Sequence, residues 1–279
     1  MSKRKLPRQI SVSTAPVAAL GDAEYYDLEG TIRLLKKLRS ISFLDGFELQ
    51  LEPEWDKEDP PLTDSDLADW NKTPKYSADE IIRLVKEAAL PILSIHASRD
   101  VGAYLCSGKR ILEEKGKRLI RDALYAADAL GSEVCVFHLW DTRAASFDPR
   151  RIAETFLDIA DQFSMVKASI ENVPTRLAGQ TPFSLCEDFK HITLDIRWAM
   201  LYNELDRFTT ISDRVCNVHL HARLVENRWA LESAGSGFYE VLNKIRTQWG
   251  YDGLWTIEPR GINGSADLGR FVDAVKTIK

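Results

Sequence analysis

The segment Ala129-Leu-Gly-Ser-Glu-Val-Cys-Val-Phe-His-Leu139 contains the end of a helix and the whole of the strand that follows it. Gly131, directly after Ala129-Leu130, is a typical left-handed stop for a helix. Val134–Leu139 is a short apolar run of the kind that forms a buried parallel strand. The segment therefore predicts a helix that leads directly into a buried strand, with His138 near the carboxyl end of that strand.

Apolar runs of this kind recur along the chain, separated by helix-like stretches. Eight β-rich runs can be identified: Ile10–Thr14, Phe47–Leu51, Ile92–His96, Val134–Leu139, Ala168–Asn172, Ile192–Ile196, Val215–His221 and Leu254–Pro259. This alternation implies parallel strands joined by right-handed crossovers, and eight such units close most simply into a (β/α)8 barrel, the TIM barrel. An open doubly wound sheet is the alternative fold. Because no Gly-x-Gly-x-x-Gly motif follows an early strand, we expect no nucleotide cofactor.

Several of the predicted helices have their own start signals. Ser77-Ala-Asp-Glu80 has the spacing of a capping box before Ile81–Ala89, and Asp148-Pro149 offers an N-cap followed by proline at the first helical position. One long irregular stretch, Pro53–Pro74, follows the second strand, so in a barrel it would rise from the active face. We interpret it either as a lid or as a surface excursion without a catalytic role.

Length and composition are those of an ordinary globular protein. The chain is 44% hydrophobic and 28% charged, and we interpret residues 1–279 as one barrel domain. No apolar run approaches the roughly 20 residues of a membrane span, and Met1–Pro7 is basic without an apolar region behind it, so we expect an uncleaved cytoplasmic protein with no membrane partner. The net charge of -5 argues against nucleic acid as a partner. The sequence neither indicates nor excludes a homo-oligomer.

The cysteines do not have the paired spacing of a structural zinc site. They are Cys106, Cys135, Cys186 and Cys216. We expect reduced thiols, with Cys135 and Cys216 in the core because both lie in apolar strand-like runs.

Acidic residues and histidines collect at the carboxyl ends of the predicted strands, where barrel enzymes build their catalytic mouth. In chain order they are Glu48, His96, His138, Glu171, Asp195, His219, His221 and Glu258. Of the histidines only His191 lies elsewhere, and we interpret it as structural. A single strand-end carboxylate is often merely solvated or caps the next helix. Several that converge on one mouth need a positive charge among them, because burial and mutual repulsion would otherwise destabilise them.

This pattern predicts one divalent metal ion. Alternation along the strands places Glu171, Asp195 and Glu258 on the inward face, each two residues after a small polar residue. His221 is the preferred fourth ligand because it lies nearer the mouth than His219 on the same face. The reverse assignment, with His219 as the ligand, stays open. Mixed carboxylate and imidazole ligands suit manganese, magnesium, cobalt or zinc.

At these positions the sequence resembles the xylose-isomerase-like barrel superfamily over nearly its whole length. The resemblance is carried by short motifs at successive strands: Gly46-Phe-Glu-Leu49, Ile95-His-Ala97, Ala129-Leu-Gly-Ser132 with Val136-Phe-His138, Ile170-Glu-Asn172, Leu194-Asp195, Val218-His-Leu-His221 and Thr256-Ile-Glu-Pro259. The superfamily includes sugar and sugar phosphate isomerases and epimerases, inosose dehydratases and endonuclease IV. The resemblance therefore implies a metal-dependent TIM barrel enzyme and leaves its reaction open among these classes.

The ketose 3-epimerase branch holds one metal ion with a Glu, an Asp, a His and a Glu from strands five to eight. The matching residues are Glu171, Asp195, His221 and Glu258. Glu226-Asn-Arg228 and Gly235-Ser-Gly237 resemble the Asn-Arg pair and the glycines that follow the strand-seven ligand in that branch. Trp198 departs from the pattern, because the branch usually has a substrate-binding histidine there. The identity of the substrate is therefore open.

Endonuclease IV is a weaker match. His96 and His138 correspond to two of its zinc-binding histidines, but Trp198 and Asn227-Arg-Trp229 stand where it has further ligands. Those side chains cannot bind zinc in the same way, and the chain is acidic. An abasic-site nuclease is therefore only an alternative, as is a barrel that keeps the metal without catalysis.

The resemblance implies an isomerase or epimerase of a small sugar or sugar phosphate. Glu171 and Glu258 would remove and return a proton through an ene-diolate, while an inosose-type dehydratase would begin with the same proton abstraction. The residues expected to contact the substrate are His96, His138, Glu48, Trp140, Trp198, Arg228 and Arg260. His96 and His138 are alternatively ligands of a second ion.

Tryptophans and arginines near the strand ends each have two interpretations. The tryptophans either stack on a sugar or pack in the core or lid; they are Trp140, Trp198 and Trp229. The arginines either bind a phosphate or carboxylate or form surface ion pairs; they are Arg99, Arg197 and Arg260.

Overall fold

The computed structural model describes residues 9–61, 64–231 and 237–278. Within these ranges the strands are β1 Gln9–Ser13, β2 Gly46–Gln50, β3 Ile92–His96, β4 Val134–Phe137, β5 Lys167–Glu171, β6 Ile192–Asp195, β7 Val215–Val225, β8 Arg228–Ala230 and β9 Leu254–Arg260. The α-helices are α1 Thr14–Val17, α2 Leu28–Ile41, α3 Asp64–Trp70, α4 Ala78–Glu87, α5 Asp100–Leu105, α6 Arg110–Leu130, α7 Pro149–Ala160, α8 Pro182–Cys186, α9 Ile196–Leu201, α10 Phe238–Thr247 and α11 Leu268–Lys276. Short 3-10 helices cover Ala18–Gly21, Pro53–Trp55, Arg207–Arg214 and Ser265–Asp267.

All of these strands except β8 form a closed parallel barrel. Strands β1 to β7 pair in sequence, β7 pairs with β9, and β9 pairs with β1 to close the ring. Helices between successive strands lie on the outside, as right-handed crossovers require. The predicted (β/α)8 barrel is therefore confirmed, and the open doubly wound sheet is wrong.

The strand predictions agree with the structure to within about two residues, except at β7. The predicted strand ends at His221, whereas β7 continues to Val225 and pairs antiparallel with β8, Val225 opposite Arg228. Glu226 adopts a φ of 52° in the tight turn between the two strands. This turn lacks the glycine that usually marks a two-residue hairpin, so the sequence does not predict it.

The predicted helix signals are confirmed. Ser77 and Glu80 form the reciprocal capping box at the start of α4. The Asp148 side chain accepts hydrogen bonds from two backbone N–H groups at the start of α7, and Pro149 is the first residue of that helix. Gly131 ends α6 with a φ of 72°, the left-handed conformation that glycine adopts without steric cost.

The outward face of the barrel strands is apolar. Val12, Phe47, Ile95 and Ile257 are completely buried there and belong to the core between the strands and the helices. Because each alternates with a polar residue along its strand, the opposite set of side chains must point into the barrel. The core that stabilises the fold therefore lies outside the ring of strands.

The inward face is polar, and its hydrogen bonds cross the barrel. Thr256 on β9 lies 2.9 Å from the Ser11 hydroxyl and donates to Asn217 Oδ1 at 3.0 Å. Asn217 Nδ2 and the Ser94 hydroxyl donate to Glu48 Oε2 at 3.1 Å and 2.9 Å. TIM barrels usually fill this space with branched aliphatic side chains, so a polar network beneath the mouth is a distinctive feature of this chain.

The irregular stretch after β2 is anchored by two buried tryptophans. Trp55 Nε1 donates to the Tyr25 carbonyl at 3.0 Å, and Trp70 Nε1 donates to the Glu54 carbonyl at 2.6 Å. Residues 62–63 lie outside the described part of the stretch. A closing movement of this segment stays a prediction.

Two further expectations concern the cysteines and the membrane. All four cysteines are free; Cys135 is buried and Cys216 is half-buried. Within the described ranges of the chain, no helix is long and apolar enough to cross a bilayer.

Candidate metal centre

Three side chains from neighbouring strands meet at the carboxyl end of the barrel. His221 Nδ1 on β7 lies 3.3 Å from Oδ2 of Asp195 on β6 and 3.4 Å from Oε2 of Glu258 on β9. Candidate ligand atoms of these three residues all lie within 4.8 Å of one another, a spacing that one ion can bridge. The strand register creates this cluster, because His221 pairs with Glu258 and Asp195 pairs with His219 one step below. Three of the four predicted ligands are therefore in contact.

Asp195 uses its two oxygen atoms differently. Oδ1 accepts hydrogen bonds from the backbone N–H groups of Arg197 at 2.6 Å and Trp198 at 3.3 Å, and so caps α9. Oδ2 faces His221. Asn172 holds the Asp195 backbone, donating from Nδ2 to its carbonyl at 3.1 Å and accepting from its N–H at 2.6 Å. The Asp195 side chain thus caps α9 with one oxygen and turns the other toward His221, so a helix cap does not preclude the predicted ligand role.

Glu171, the fourth predicted ligand, lies among three histidines. Its Oε2 is 2.9 Å from His138 Nε2, 3.3 Å from His96 Nε2 and 3.4 Å from His219 Nδ1. The first two histidines and Glu171 form a second group of candidate ligand atoms within 4.8 Å. His219 Nδ1 also lies 3.4 Å from Glu258 Oε1, so the two groups adjoin. The structure brings His96 and His138 to the centre, and their contact with substrate or a second ion stays a prediction.

His219 and Glu48 lie beneath this layer. Both side chains are completely buried, and His219 Nε2 is 3.1 Å from Glu48 Oε2. The side chain of His221, one step nearer the mouth, is 14% exposed. Glu48 was expected to contact the substrate, but it is enclosed among hydrogen-bond donors of the barrel interior, where it holds His219 in place. The predicted order of the two histidines, His221 outside His219, is the observed one.

His96, His219 and His221 are held in their protonated form. Burial by itself lowers the pKa of His96 and of His221, but neighbouring carboxylates outweigh this effect and raise both pKa values to about 9. For His96 the main partner is Glu171, and for His221 the partners are Asp195 and Glu258. Burial also lowers the pKa of His219, but the carboxylates of Glu48, Glu258 and Glu171 outweigh burial and raise it well above its usual range.

The carboxylates respond in two ways. Burial raises the pKa of Glu258, but His219 and His221 outweigh burial and lower it to about 2. The histidines around Glu171 likewise hold its pKa well below the usual range despite burial. For Asp195 burial prevails over the contact with His221, and its pKa is raised. Without a metal, imidazolium protons therefore supply the positive charge that these carboxylates need.

The donor set fits a divalent ion. It consists of carboxylate oxygens and imidazole nitrogens, with no thiolate in any of the three candidate groups found in the described part of the chain. A metal ion would take over the neutralising role of the imidazolium protons, because ligation requires the neutral imidazole. Glu171, Asp195, His221 and Glu258 are the residues that would hold it.

Two of the tryptophans expected near the mouth pack in the core instead. Trp140 is 1% exposed, and its Nε1 donates to the Val173 carbonyl at 3.2 Å. Trp229 is also buried and donates to a carbonyl of α11 at 2.9 Å. Core packing, the alternative interpretation, therefore describes both rings, and a substrate contact of Trp140 stays a prediction. Trp198 is half-buried, with the Arg197 guanidinium 4.4 Å from its ring centre.

The arginines singled out in the sequence occupy different environments. Arg99 donates to Glu54 at 2.8 Å, so it forms an ion pair, the second of its two predicted interpretations. Arg228 on β8 stacks on the ring of Tyr239 in α10, 5.4 Å from its centre. Arg260 is exposed at the end of β9. Of the glycine motif near α10, Gly235 and Ser236 lie outside the described residues.

Sequence reasoning missed the asparagines that support the centre. Asn217 lies two residues before His219, so the alternation that singled out the histidines could also have identified it. Asn172 directly follows Glu171 and bonds the neighbouring strand end through its side chain. An isolated asparagine has too many uses in turns and caps for its sequence position to predict that role.

No protein-family model and no curated protein matches the chain, but solved structures do. A sugar phosphate isomerase/epimerase from Parabacteroides distasonis aligns over 99% of this chain and 97% of its own, with a TM-score of 0.62 and 13% identity. D-allulose 3-epimerase from a Methylomonas species aligns over 95% and 91%, with a TM-score of 0.62 and 15% identity. A protein from Thermus thermophilus, soaked with zinc chloride, aligns over 97% of both chains, with a TM-score of 0.56 and 15% identity.

The chain shares the (β/α)8 barrel fold of these solved structures. The matches extend over nearly the whole length of both partners, so the barrel as a whole is shared. At identities this low the likeness establishes the fold. The reaction of this barrel follows from its own site.

Proposed function

We propose that the chain is a divalent-metal-dependent isomerase or epimerase of a small sugar or sugar phosphate. The observation that carries this proposal is the convergence of Asp195, His221 and Glu258 from adjacent strand ends, with Glu171 next to them on the same mouth. In a TIM barrel the carboxyl ends of the strands are where the reaction takes place. Buried carboxylates and histidines with displaced pKa values are typical of a catalytic site.

The solved structures with the same fold support a sugar as the substrate. One is described as a sugar phosphate isomerase/epimerase, and another is a D-allulose 3-epimerase that was also solved in complex with D-allulose. Both names describe the rearrangement of a carbohydrate, and a polar, metal-ligating mouth suits a substrate rich in hydroxyl groups. We therefore assign the polyhydroxy carbonyl class as the substrate in this proposal.

A divalent ion bound by the four ligands would act as a Lewis acid, polarising the substrate carbonyl and acidifying the neighbouring C–H group. Glu171 and Glu258 are then suited to proton transfer. They stand on β5 and β9, and each has an oxygen 3.4 Å from His219 Nδ1, which fixes their relative position. Their lowered pKa values keep both ionised at neutral pH, so either can accept a proton.

The two carboxylates differ in their connection to solvent. Glu171 contacts His138, whose side chain is 28% exposed, so a proton taken by Glu171 can exchange with water through that imidazole. Glu258 is 15% exposed at the mouth itself. One carboxylate can therefore remove the proton to give an ene-diolate, and the other can return a proton that it has first taken up from water.

The test is hydrogen exchange between water and substrate. Purified protein loaded with manganese, magnesium, cobalt or zinc is incubated in deuterated water with ketoses, ketose phosphates and inososes, and deuterium at the carbon beside the carbonyl is followed by NMR. We expect exchange with at least one ketose or ketose phosphate. Glu171→Gln and Glu258→Gln should abolish it, whereas Glu87→Gln on the exposed surface of α4 should not.

Two outcomes contradict the proposal. Exchange that persists in both active-site variants would remove the assigned acid and base. Loss of water from an inosose without isomerisation of any ketose would instead indicate a dehydratase.

A further inference from the structure

The strand register continues past the metal centre to a pair of arginines. On β7 and β9, His221 pairs with Glu258, and Arg223 pairs with Arg260 one step further toward the mouth. Residues two apart on a strand share a face and are about 6.6 Å apart along it. The two arginines therefore stand on the same inward face as His221 and Glu258, in the next layer outward.

The burial pattern supports this orientation. Ala222, Leu224 and Pro259 alternate with the two arginines and are buried against the helices, whereas Arg223 and Arg260 are exposed. Since neighbouring residues on a strand face opposite sides, buried outward neighbours place both arginine side chains on the side of the mouth. The pair forms a rim directly above the ligands contributed by the same two strands.

Gly261 shows in which direction the Arg223 side chain runs. This glycine follows the end of β9 with a φ of 73°, and a Cβ on it would stand 3.1 Å from Arg223 Cγ and 3.8 Å from its Cδ. The stem of Arg223 therefore lies across the end of β9, next to Arg260. A side chain at position 261 would crowd that stem, in addition to being strained by the left-handed backbone.

We propose that Arg223 and Arg260 together bind an oxyanion group, a phosphate ester or a carboxylate, at the end of the substrate remote from the reacting carbonyl. The inference rests on the proposed function, because it takes the carbonyl end to lie at Glu258 and His221. Guanidinium groups present paired N–H donors that match the geometry of phosphate and carboxylate oxygens. Two of them on adjacent strands allow one oxyanion to be held from two sides.

Two other arginines of this region do not share the register of the ligand layer. Arg99 follows the end of β3, and Arg228 lies on β8, outside the closed ring. The register instead puts Arg223 and Arg260 in line with the ligand layer. A chain a few carbon atoms long can span the step between the two layers, since that step is about 6.6 Å. The preferred substrate is therefore an acidic or phosphorylated polyhydroxy carbonyl compound, not a neutral sugar.

The experiment compares matched charged and neutral probes by calorimetric titration of the metal-loaded protein. The pairs are fructose 6-phosphate with fructose, and glucuronate with glucose. We expect one charged probe to bind more tightly than its neutral partner. Arg223→Gln and Arg260→Gln should each weaken that charged probe roughly ten- to hundredfold and leave the neutral probe unchanged. The phosphate and carboxylate arms show which oxyanion is recognised.

Two control variants separate a specific site from general charge. Arg83→Gln on the exposed surface of α4 removes the same charge elsewhere and should leave binding unchanged. Arg260→Lys keeps the charge but loses the paired donors, so it should bind the charged probe with intermediate affinity. If both charged probes bind no better than their neutral partners, or if the double variant Arg223→Gln/Arg260→Gln keeps the preference, the proposal is overturned.

The outcomes for the two proposals can be told apart. Arginine-dependent binding of a charged probe without deuterium exchange in any ketose would support the oxyanion site and remove the isomerase assignment. Exchange that is equally fast for charged and neutral ketoses, and insensitive to the double variant, would support the isomerase assignment and remove the oxyanion site.

Discussion

Glu258 and Ile257 are neighbours on β9, but they belong to opposite faces of the barrel. Glu258 points inward, with its two carboxylate oxygens 3.4 Å from His219 Nδ1 and from His221 Nδ1 respectively. Ile257 points outward and is completely buried in the apolar core. Most TIM barrels have aliphatic side chains on both faces of the strands. The inward face of this barrel is polar from Ser11 up to the mouth. The contrast indicates that the outward face supplies stability and the inward face supplies the chemistry.

The largest effect is expected on the inward face. Glu258→Gln removes a proposed ligand and proton carrier, so we expect kcat/KM for the exchanging ketose to fall by roughly 10²–10⁴-fold or more. The thermal unfolding temperature should also fall, because His219 and His221 lose the carboxylate that neutralises them. Steady-state kinetics with a metal-saturated sample measure the effect. A variant with full activity would show that the inward face does not carry the reaction at this position.

Ile257→Ala tests the outward face one residue away. Deleting buried methyl groups from a packed core should lower the free energy of unfolding by about 2–5 kcal/mol, measured by urea denaturation. Ile257→Val should cost only about 0.5–1.5 kcal/mol. The fraction that stays folded should keep the kcat/KM of the natural chain. If Ile257→Ala lost activity without losing stability, the claim that the outward face supplies stability and the inward face the chemistry would be wrong.

Glu48 faces inward, like the residues of the metal centre, but it is completely buried beneath the mouth, like the residues of the apolar core. Its Oε2 lies 3.1 Å from His219 Nε2 and accepts hydrogen bonds from Asn217 and Ser94. In Glu48→Gln the three donors lose their charged acceptor, and we expect the free energy of unfolding to fall by about 1–3 kcal/mol. Activity should fall less than in Glu258→Gln. Chemical denaturation and kinetics on the same sample measure both; unchanged stability would exclude the supporting role assigned to Glu48.

For a change of one pH unit, the pH dependence of metal affinity gives an effect of about tenfold, or about 1.4 kcal/mol. In the metal-free protein the pKa of His221 is raised to about 9, so at neutral pH this imidazole is protonated. Ligation needs the neutral form, so each ion must displace at least one proton. Affinity should therefore rise about tenfold per pH unit below that pKa and level off above it. Titrations between about pH 6 and 8 in buffers of different ionisation enthalpy count the protons; a pH-independent affinity would contradict the ligand role of His221.

The fold could be predicted from sequence because its signals are local and repeated. The capping box at Ser77, the N-cap at Asp148 and the stop at Gly131 each act within a few residues. Alternation along β5, β6 and β9 likewise placed Glu171, Asp195 and Glu258 on one face. The hairpin of β7 and β8 was not predicted, because the turn at Glu226 contains no glycine. The short strand β8 also forms only by pairing with β7.

The surroundings of the site were harder to predict, because they depend on which layer a side chain occupies. Glu48 in the middle of β2 and His96 at the end of β3 both face inward, yet Glu48 is completely buried against His219, whereas His96 contacts Glu171. Trp140 follows the strand-four histidine closely, but its ring turns outward and packs in the core. Strand stagger around a barrel sets these depths, and it follows from the closed ring rather than from any single strand.

The most direct test of the account is the metal content of matched variants. Protein incubated with manganese, magnesium, cobalt or zinc and then desalted is analysed by mass spectrometry of its metals. The natural chain and Ile257→Ala should retain about one divalent ion per chain, whereas Asp195→Asn and His221→Ala should lose it. An ion-free natural chain, or equal metal content in all four proteins, would contradict the claim that the inward face of this barrel is a metal centre.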